Sequence, residues 1–343
     1  MLDIREITQR SEYDKILRDD KISDSLCFIT FGGSHAYGTN IETSDVDIRG
    51  VCLNNKEDLI GLSRFNQRDS EETDTVIYAI NRFVQLLLNC NPNCIELLGG
   101  KPESYIIYNE IGKELLSEEV RGWFLSKKAI YTFGGYATAQ LRRLENALAR
   151  DSYTQGEKNK HIKGTMDNML NSFKERYSSF EEGEIEILLD GENPENDLKM
   201  NCVLKGYPIK DFLGIWSELK EVIKNYDKIG TRNNKKDELH LNKHMMHLCR
   251  LYLMVFDILE KGEVNTYREA DHDFLMGVRM GKYRKDSGEL SQEFKNILAE
   301  YEKRLEYDKI HTTLPDKPDY NKISEWLISV NKRIINGDIG RIE

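Results

Sequence analysis

Several features that would assign this chain to a familiar class are missing from its sequence. No apolar run approaches the ~20 residues that a membrane-spanning helix needs, and the N-terminus lacks the charged-then-apolar order of a signal peptide. The six cysteines are scattered rather than set at the spacings of a disulfide framework, which is typical of a reducing compartment. We therefore expect a soluble, cytoplasmic protein with no membrane partner.

Three common catalytic or nucleotide-binding motifs are also absent. The sequence has no Gly-x-Ser-x-Gly elbow, no Gly-x-x-x-x-Gly-Lys-Ser/Thr phosphate loop and no Gly-x-Gly-x-x-Gly dinucleotide fingerprint. The chain also has no excess of positive charge. It contains 49 Lys and Arg and 59 Asp and Glu, which gives a formal charge of -10. Since phosphate neutralisation drives nucleic-acid affinity, this balance argues against a broad basic groove, although a local basic patch is compatible with it.

The order of sequence patterns predicts the fold class and the domain division. At 343 residues the chain exceeds one average domain, so two domains are expected. Short β-branched and aromatic runs dominate the first 110 residues, and helical patterns dominate the rest. The prediction is an α+β protein with one domain over residues 1–110 and a mostly helical domain over residues 111–343. The acidic stretch 181–197 is interpreted as a solvated insertion or hairpin.

Three strands are predicted in the first domain. The run Leu26–Phe31 is short, apolar and bounded by glycines, which indicates a strand buried on both faces. The second strand is predicted at Val46–Leu53. The third, at Thr73–Ala79, leads directly into a helix that stops before Pro92.

The first strand ends in Gly32-Gly33-Ser34, which is the pattern of a phosphate-binding turn. Glycine lets the backbone approach a phosphate without an intervening side chain, and Ser34 can donate a hydroxyl group. If a helix begins there, its free N–H groups add positive potential. We interpret this turn, with Gly33 and Ser34 as its contacting residues, as the binding site of a triphosphate.

Two aspartates follow closely, in Ser44-Asp45-Val46-Asp47. On a strand, residues i and i+2 point to the same side about 7 Å apart, so Asp45 and Asp47 could hold one or two metal ions between them. Either motif alone is common on ordinary turns and solvated strands. A strand, a Gly-Gly-Ser turn, ten intervening residues and an Asp-x-Asp, in that order, are far more specific.

This order resembles the Gly-Ser…Asp-x-Asp signature of the DNA polymerase β nucleotidyltransferase superfamily. The RlaP/YcgL-type branch, the RNA repair pathway DNA polymerase beta family, is similar over two longer strings. These are Gly33-Ser-His-Ala-Tyr-Gly-Thr39 and Ser44-Asp-Val-Asp-Ile-Arg-Gly50. Weaker matches follow at Tyr78–Phe83, at Asn91–Leu98, and at Lys243 to Arg250, so the resemblance spans most of the chain.

The resemblance implies a mixed sheet that carries the carboxylates, a helical domain that closes over the nucleotide, and an NTP donor, with ATP first among the candidates, used with Mg²⁺ or Mn²⁺. It also implies a third acidic residue on a neighbouring strand, which completes the metal site and helps to deprotonate the acceptor. Asp74 is the leading candidate because it heads the third predicted strand. Glu72 and Glu96 remain alternatives, since a one-residue shift in strand register would change the choice.

A helix predicted at Leu241–Lys261 and ended by Gly262 carries a row of basic side chains. Helical periodicity places this row opposite the apolar stripe, where it is either merely solvated or faces an anionic ligand. In light of the resemblance, these residues are candidates for nucleotide binding: Lys243 toward the β- and γ-phosphates, with His247 and Arg250 nearby. Ordinary surface or packed histidines explain His244 and His247 equally well.

Four further polar residues could belong to the same site or lie beside it. Tyr136, Gln140 and Arg143 could line a base pocket, or could simply form a polar helix face. His35 is expected to support the turn rather than to act in catalysis, because nucleotidyl transfer makes little demand on a general acid.

The leading functional hypothesis is therefore a metal-dependent nucleotidyltransferase that moves a nucleoside monophosphate from an NTP to a hydroxyl acceptor and releases pyrophosphate. An RNA or tRNA end is the acceptor that the resemblance suggests, and a protein side chain or a small molecule fits the same chemistry. The rivals are an NTP-binding sensor or partner protein without turnover and a protein-modifying adenylyltransferase.

Overall fold

The fold combines one mixed β-sheet with many helices. The computed structural model describes residues 2–152, 185–190, 199–206, 238–285 and 290–342, and isolated positions between 209 and 220. The strands are β1 Leu26–Phe31, β2 Ile48–Cys52, β3 Gln67–Ser70, β4 Thr75–Ala79, β5 Tyr105–Ile107, β6 Ile185–Asp190 and β7 Lys199–Leu204. The predicted α+β class is confirmed.

Helices connect and cover these strands. Before β5 they are α1 Ile4–Thr8, α2 Ser11–Leu17, α3 Gly33–Tyr37, α4 Lys56–Ile60, α5 Ile80–Leu88 and α6 Pro92–Ile95. After β5 they are α7 Glu110–Leu115, α8 Glu118–Phe124, α9 Lys128–Ser152, α10 Glu238–Phe256, α11 His272–Arg279, α12 Gln292–His311 and α13 Tyr320–Asn336. Across the described residues, none of the helices combines the length and the apolar character that crossing a membrane requires.

The five-stranded sheet has the order β3-β4-β2-β1-β5. β1 pairs antiparallel with β2 and β5, β3 pairs antiparallel with β4, and β2 pairs parallel with β4. The parallel pair places Ile48 opposite Thr75, so the residues that precede these two strands meet at one edge of the sheet. This register brings together two of the predicted acidic residues.

Both faces of the sheet are covered, because β1 is buried along its whole length. Ile29 and Phe31 join a core cluster with residues of α1 and α2. Phe28 points to the opposite face, where its ring lies edge-on to Phe83 of α5 and to Tyr105 of β5. The prediction that this strand is buried on both sides is confirmed, and the packing fixes the position of the turn that follows it.

The contacts along the chain group into two compact units. The first contains residues 1–141, 242–283 and 291–343, and the second contains residues 142–241 and 284–290. The boundary predicted at residue 110 falls inside the first unit, because α7 packs directly on β1 and Gly112 lies against the Cys27 carbonyl. Within the second unit, β6 lies in the acidic stretch and forms an antiparallel pair with β7, which follows that stretch. The spacing of apolar residues also predicts helices at His161–Tyr177 and Phe212–Ile223, and these ranges fall wholly or mostly outside the described residues.

Element boundaries differ from the sequence prediction in two ways. β2 starts at Ile48 rather than Val46, because its first ladder bond with β4 joins the Ile48 amide to the Asp74 carbonyl. β3 and β5 were not predicted, since β3 is polar and largely exposed and β5 has only three residues. The helix predicted at Leu241–Lys261 is present, and its last turn is a π-turn that Gly262 ends in the left-handed conformation.

Helix α12 contains a buried carboxyl group that yields a stability prediction. Asp308 is 5% exposed, one of its side-chain oxygens has no partner among the described residues, and burial and the Glu260 carboxylate raise its pKa to about 6. Because this value lies above the ordinary Asp value of 3.8, the protonated form favours folding, and that benefit is lost as the pH rises through about 6.

We expect Asp308→Asn to raise the free energy of unfolding by about 1–2 kcal/mol at pH 7.5, because the amide removes a poorly solvated charge. The gain should shrink as the pH falls from 6 toward 4, where Asp308 in the native protein is already protonated. Urea denaturation at both ends of this range measures the difference. A gain that is the same at both pH values would contradict the assignment.

Candidate active site

The turn after β1 packs closely against the Asp47 carboxylate. Gly32 is the N-cap of α3, and its amide donates to the Asp47 carbonyl at 2.8 Å. Gly33 has a φ of +54°, and a Cβ added there would lie 2.9 Å from the Asp47 Cγ and closer still to its Oδ2. A glycine is therefore required both for the backbone conformation and for the close approach of the Asp47 side chain.

Asp47 and Asp74 meet at the edge of the parallel strand pair. Each residue directly precedes its strand, and the Ile48 amide donates to the Asp74 carbonyl at 3.2 Å. The two carboxyl groups hydrogen-bond to each other. Asp74 has a positive φ of 41°, which few non-glycine residues adopt, so its backbone is held in an uncommon conformation at this point.

Arg49 holds this pair from the side. Its guanidinium donates to the Asp74 side chain at 3.0 Å and to the Asp74 carbonyl, and it lies 3.7 Å from the Asp47 Oδ1. Arg49 is two residues after Asp47 on the same side of β2, which is the alternation that the sequence predicts. It partly compensates the two carboxylates and fixes the orientation of Asp74.

The two carboxyl groups differ in their ionisation. Burial, together with the hydrogen bond to Asp74, raises the pKa of Asp47 to about 7, against the opposing charges of Arg49 and Lys243. The hydrogen bond from Asp47 lowers the pKa of Asp74, whose side chain is 59% exposed. The pKa of Asp47 is thus raised while that of Asp74 is lowered, and the two carboxyl groups do not ionise independently of each other.

Asp45 is placed differently from the other two aspartates. It lies in the irregular segment before β2, its side chain is exposed, and it makes no ion pair among the described residues. In the described part of the chain, no three His, Cys, Asp or Glu side chains are grouped closely enough to hold a metal ion by themselves. The structure thus assembles a pair, Asp47 and Asp74, and leaves Asp45 two residues away along the chain.

The alternatives for the third carboxylate occupy other environments. Glu72 is exposed in the turn before β4. Glu96 is buried and holds an ion pair with Arg250 at 2.9 Å between Oε1 and Nη1. Of the three candidates, Asp74 is the one that the structure brings to Asp47.

The basic residues of α10 are divided between two environments. Lys243 is exposed, and its positive charge acts to lower the pKa of Asp47, against the larger effect of burial. His247 is half-buried with its ring edge-on to Tyr37 at 6.2 Å between centroids. Burial lowers the pKa of His247 well below its usual value, and Arg250 and Lys243 add to this effect, so His247 is neutral at pH 7.

Arg250 is buried, so the three basic side chains predicted to share the face opposite the apolar stripe do not share one environment. Its guanidinium stacks 3.7 Å from the centre of the Tyr37 ring, and the Tyr37 hydroxyl also donates to Glu96. Tyr37 is the last residue of α3. Arg250 is therefore placed to hold α3 and the glycine turn through Tyr37 and Glu96, rather than to project into open space.

We expect Glu96→Gln to lower the free energy of unfolding by about 3 kcal/mol, because it leaves the Arg250 charge buried without its carboxylate partner. The matched control is Glu110→Gln, which removes one partner of an exposed pair with Lys113. That change should cost less than about 1 kcal/mol. Urea denaturation of both variants checks the difference, and equal losses would show that the buried pair contributes no more than a surface one.

The remaining predicted residues support the turn or lie beside it. Ser34 is largely buried, and its carbonyl accepts from the Thr39 amide at 2.9 Å. His35 packs on the Phe31 ring with 5.8 Å between centroids, which agrees with a supporting role. In the proposed base pocket, Tyr136 is exposed and Gln140 Oε1 lies 3.1 Å from His244 Nδ1, while the side chain of Arg143 is outside the described set.

Sequence reasoning missed the contacts that join distant parts of the chain. Glu96 was considered only as a possible metal ligand, and its pairing with Arg250 across 154 positions has no local signal. Arg279 was not considered at all, although it contacts the segment between the turn and Asp45. For Arg49 a signal did exist, because it continues the Asp45-Asp47 alternation.

The site combines a glycine turn and an aspartate at the edge of a mixed sheet that helices cover on both faces. A model of RlaP, the RNA repair pathway DNA polymerase beta family, matches residues 6–329, and the chain belongs to that family. The family consists of DNA polymerase β-like nucleotidyltransferases implicated in RNA repair. Curated proteins gave no match to the chain, and neither did solved structures.

Proposed function

We propose that this protein transfers a nucleoside monophosphate from an NTP, with ATP as the first candidate, to a hydroxyl acceptor and releases pyrophosphate. The observation that carries the proposal is the contact of the Asp47 carboxylate with Gly33, with the Asp74 carboxyl hydrogen-bonded alongside. The turn can receive phosphates, and it is in direct contact with a pair of carboxylates that can hold a cation.

The residues at this site fit a hard divalent cation. Carboxylate oxygens are the ligands that Mg²⁺ prefers, and Mg²⁺ is usually held by one or two carboxylates together with substrate phosphates and water. Asp47 and Asp74 supply such a pair, and Asp45 lies close enough along the chain to join them. When bound, Mg²⁺ or Mn²⁺ would neutralise charge on the α-phosphoryl group as it moves.

The protein residues have separate roles in the proposed reaction. Gly33 and Ser34 receive the phosphates at the turn, and Lys243 supplies positive charge from α10. Asp74 is exposed and its pKa is lowered, so it is ionised at neutral pH and open to an approaching hydroxyl group. We assign to Asp74 the acceptance of the hydroxyl proton as the oxygen attacks the α-phosphorus and the bond to pyrophosphate breaks.

An RNA end is the acceptor proposed from the family, which is implicated in RNA repair. The experiment offers each of the four α-labelled NTPs with Mg²⁺ to total RNA, to a protein extract and to a small-molecule fraction. Label on RNA supports the proposal as stated, and label on protein would replace it by protein adenylylation. NTP binding without pyrophosphate release in any fraction would identify a nucleotide sensor and would contradict the proposal.

A further inference from the structure

A buried arginine holds the loop that connects the glycine turn to the aspartates. Arg279, the last residue of α11, is 6% exposed. Its Nη1 donates to the Thr39 carbonyl at 2.6 Å, and its Nη2 donates to the Ser44 Oγ at 3.1 Å. Ser44 Oγ also accepts from the Ile41 amide at 2.9 Å. Arg279 therefore contacts both ends of a tight loop that leads directly into Asp45.

The charge of Arg279 has no carboxylate partner in the described structure. The other buried arginines are paired, Arg250 with Glu96 and Arg268 with Asp257 and Asp271. No Asp or Glu oxygen among the described residues lies within 4.0 Å of the Arg279 guanidinium. A buried cation that is bound only to neutral oxygens is costly, so an anion placed near it would be stabilised.

This charge acts on the surroundings of the glycine turn. Burial lowers the pKa of His35, and the Arg279 charge lowers it further. The same charge also lowers the pKa of His247, although burial and the nearer cations of α10 contribute more to that shift. The charge of Arg279 thus acts on two residues near the turn, His35 in α3 and His247 in α10.

We infer that Arg279 is a positioning residue whose uncompensated charge strengthens binding of the triphosphate at the glycine turn. It keeps the loop from Thr39 to Ser44 in place and supplies positive potential that no protein carboxylate cancels. The inference rests on the proposed function and names a residue beyond those that the motif contains. Because it concerns phosphate binding, it can be tested apart from catalysis.

The test uses isothermal titration of the full chain with inorganic tripolyphosphate and with ATP plus Mg²⁺. Arg279→Gln should weaken tripolyphosphate binding roughly tenfold or more, and Arg279→Lys, which keeps the charge, should recover most of that loss. The matched control is Lys282→Gln, which removes one positive charge from an exposed position three residues away. Its effect should be less than about threefold.

A second variant covers the case in which Arg279→Gln fails to fold. Ser44→Asp places a carboxylate beside Arg279, so it should preserve the fold while weakening tripolyphosphate binding roughly tenfold or more. Asn40→Asp, an exposed site in the same loop, is its control and should change binding less than about threefold.

The outcomes separate this inference from the proposed function. If the wild-type protein binds neither ATP with Mg²⁺ nor tripolyphosphate, both are overturned. If the wild type binds and folded Arg279→Gln binds equally well, only the role of Arg279 is overturned. Equal losses for Ser44→Asp and Asn40→Asp would also overturn it, because a charge anywhere in the loop would then explain the effect.

Discussion

Asp47→Asn is expected to slow nucleotidyl transfer by about 10³-fold or more while the protein remains folded. Asparagine keeps the size of the side chain and can still hydrogen-bond to Asp74, but it cannot supply the negative charge that a divalent cation needs. The stability of the folded protein should not decrease. Because the native pKa of Asp47, about 7, lies above the ordinary value of 3.8, its ionised form costs stability above pH 7, and the amide removes that cost.

The matched control for this change is Asp69→Asn on the exposed edge strand β3. It removes the same charge from the same sheet at a position away from the glycine turn, and it should leave the rate within about twofold of wild type. Initial rates from α-labelled NTP and thermal unfolding curves are measured for both variants. An Asp47→Asn enzyme that is folded and as active as the control would exclude Asp47 from the reaction.

Gly33→Ala is expected to lower transfer by about 10²-fold or more, because its Cβ would occupy the space of the Asp47 carboxylate. The backbone adds a second cost, since alanine is disfavoured at a φ of +54°. We expect the free energy of unfolding to fall by about 2–4 kcal/mol from the two effects together.

Gly337→Ala isolates the backbone part of this effect. Gly337 ends α13 with a φ of +76°, and a Cβ there would meet nothing within 4 Å. It should cost about 1–2 kcal/mol of stability and leave transfer unchanged. Urea denaturation and initial rates of both variants give the comparison, and equal losses of stability and activity would show that the contact between Gly33 and Asp47 carries no function.

The parts of the fold with strong local signals were predictable. β1 has the predicted bounds because six consecutive buried residues end in a glycine pair. The placement of Asp74 beside Asp47 follows from its position at the head of a strand that pairs parallel with β2. For β1 the deciding signal is local, whereas the placement of Asp74 also depends on the parallel pairing of Ile48 with Thr75 in another segment.

Other features depend on contacts between distant segments. Helical periodicity predicted α10, but it placed Arg250 together with Lys243 on the face opposite the apolar stripe. Its burial follows from pairing with Glu96 and stacking on Tyr37, which lie in other elements. Arg279 gives no local signal either, because its partners Thr39 and Ser44 are more than 230 positions away in the sequence. Such pairs become visible only when the folded chain brings the segments together.

The two arginines explain how a short turn can be held in one geometry. Arg250 acts at the end of α3, and Arg279 acts on the loop that follows it. Together with the Arg268 amide, which donates to the Tyr37 carbonyl at 3.1 Å, they hold the segment between Gly33 and Asp47 at several points. A rigid support of this kind is what precise placement of phosphates and carboxylates requires.

The central claim is that this site transfers a nucleotidyl group with Asp47 as an essential carboxylate. The most direct measurement follows acceptor labelling by α-labelled and γ-labelled ATP in parallel, with Mg²⁺ and with EDTA, for wild type and Asp47→Asn. We expect incorporation of the α-label alone, one pyrophosphate released per label, and loss of both with EDTA or with Asp47→Asn. Incorporation of the γ-label, or transfer that survives in the Asp47→Asn protein, would contradict it.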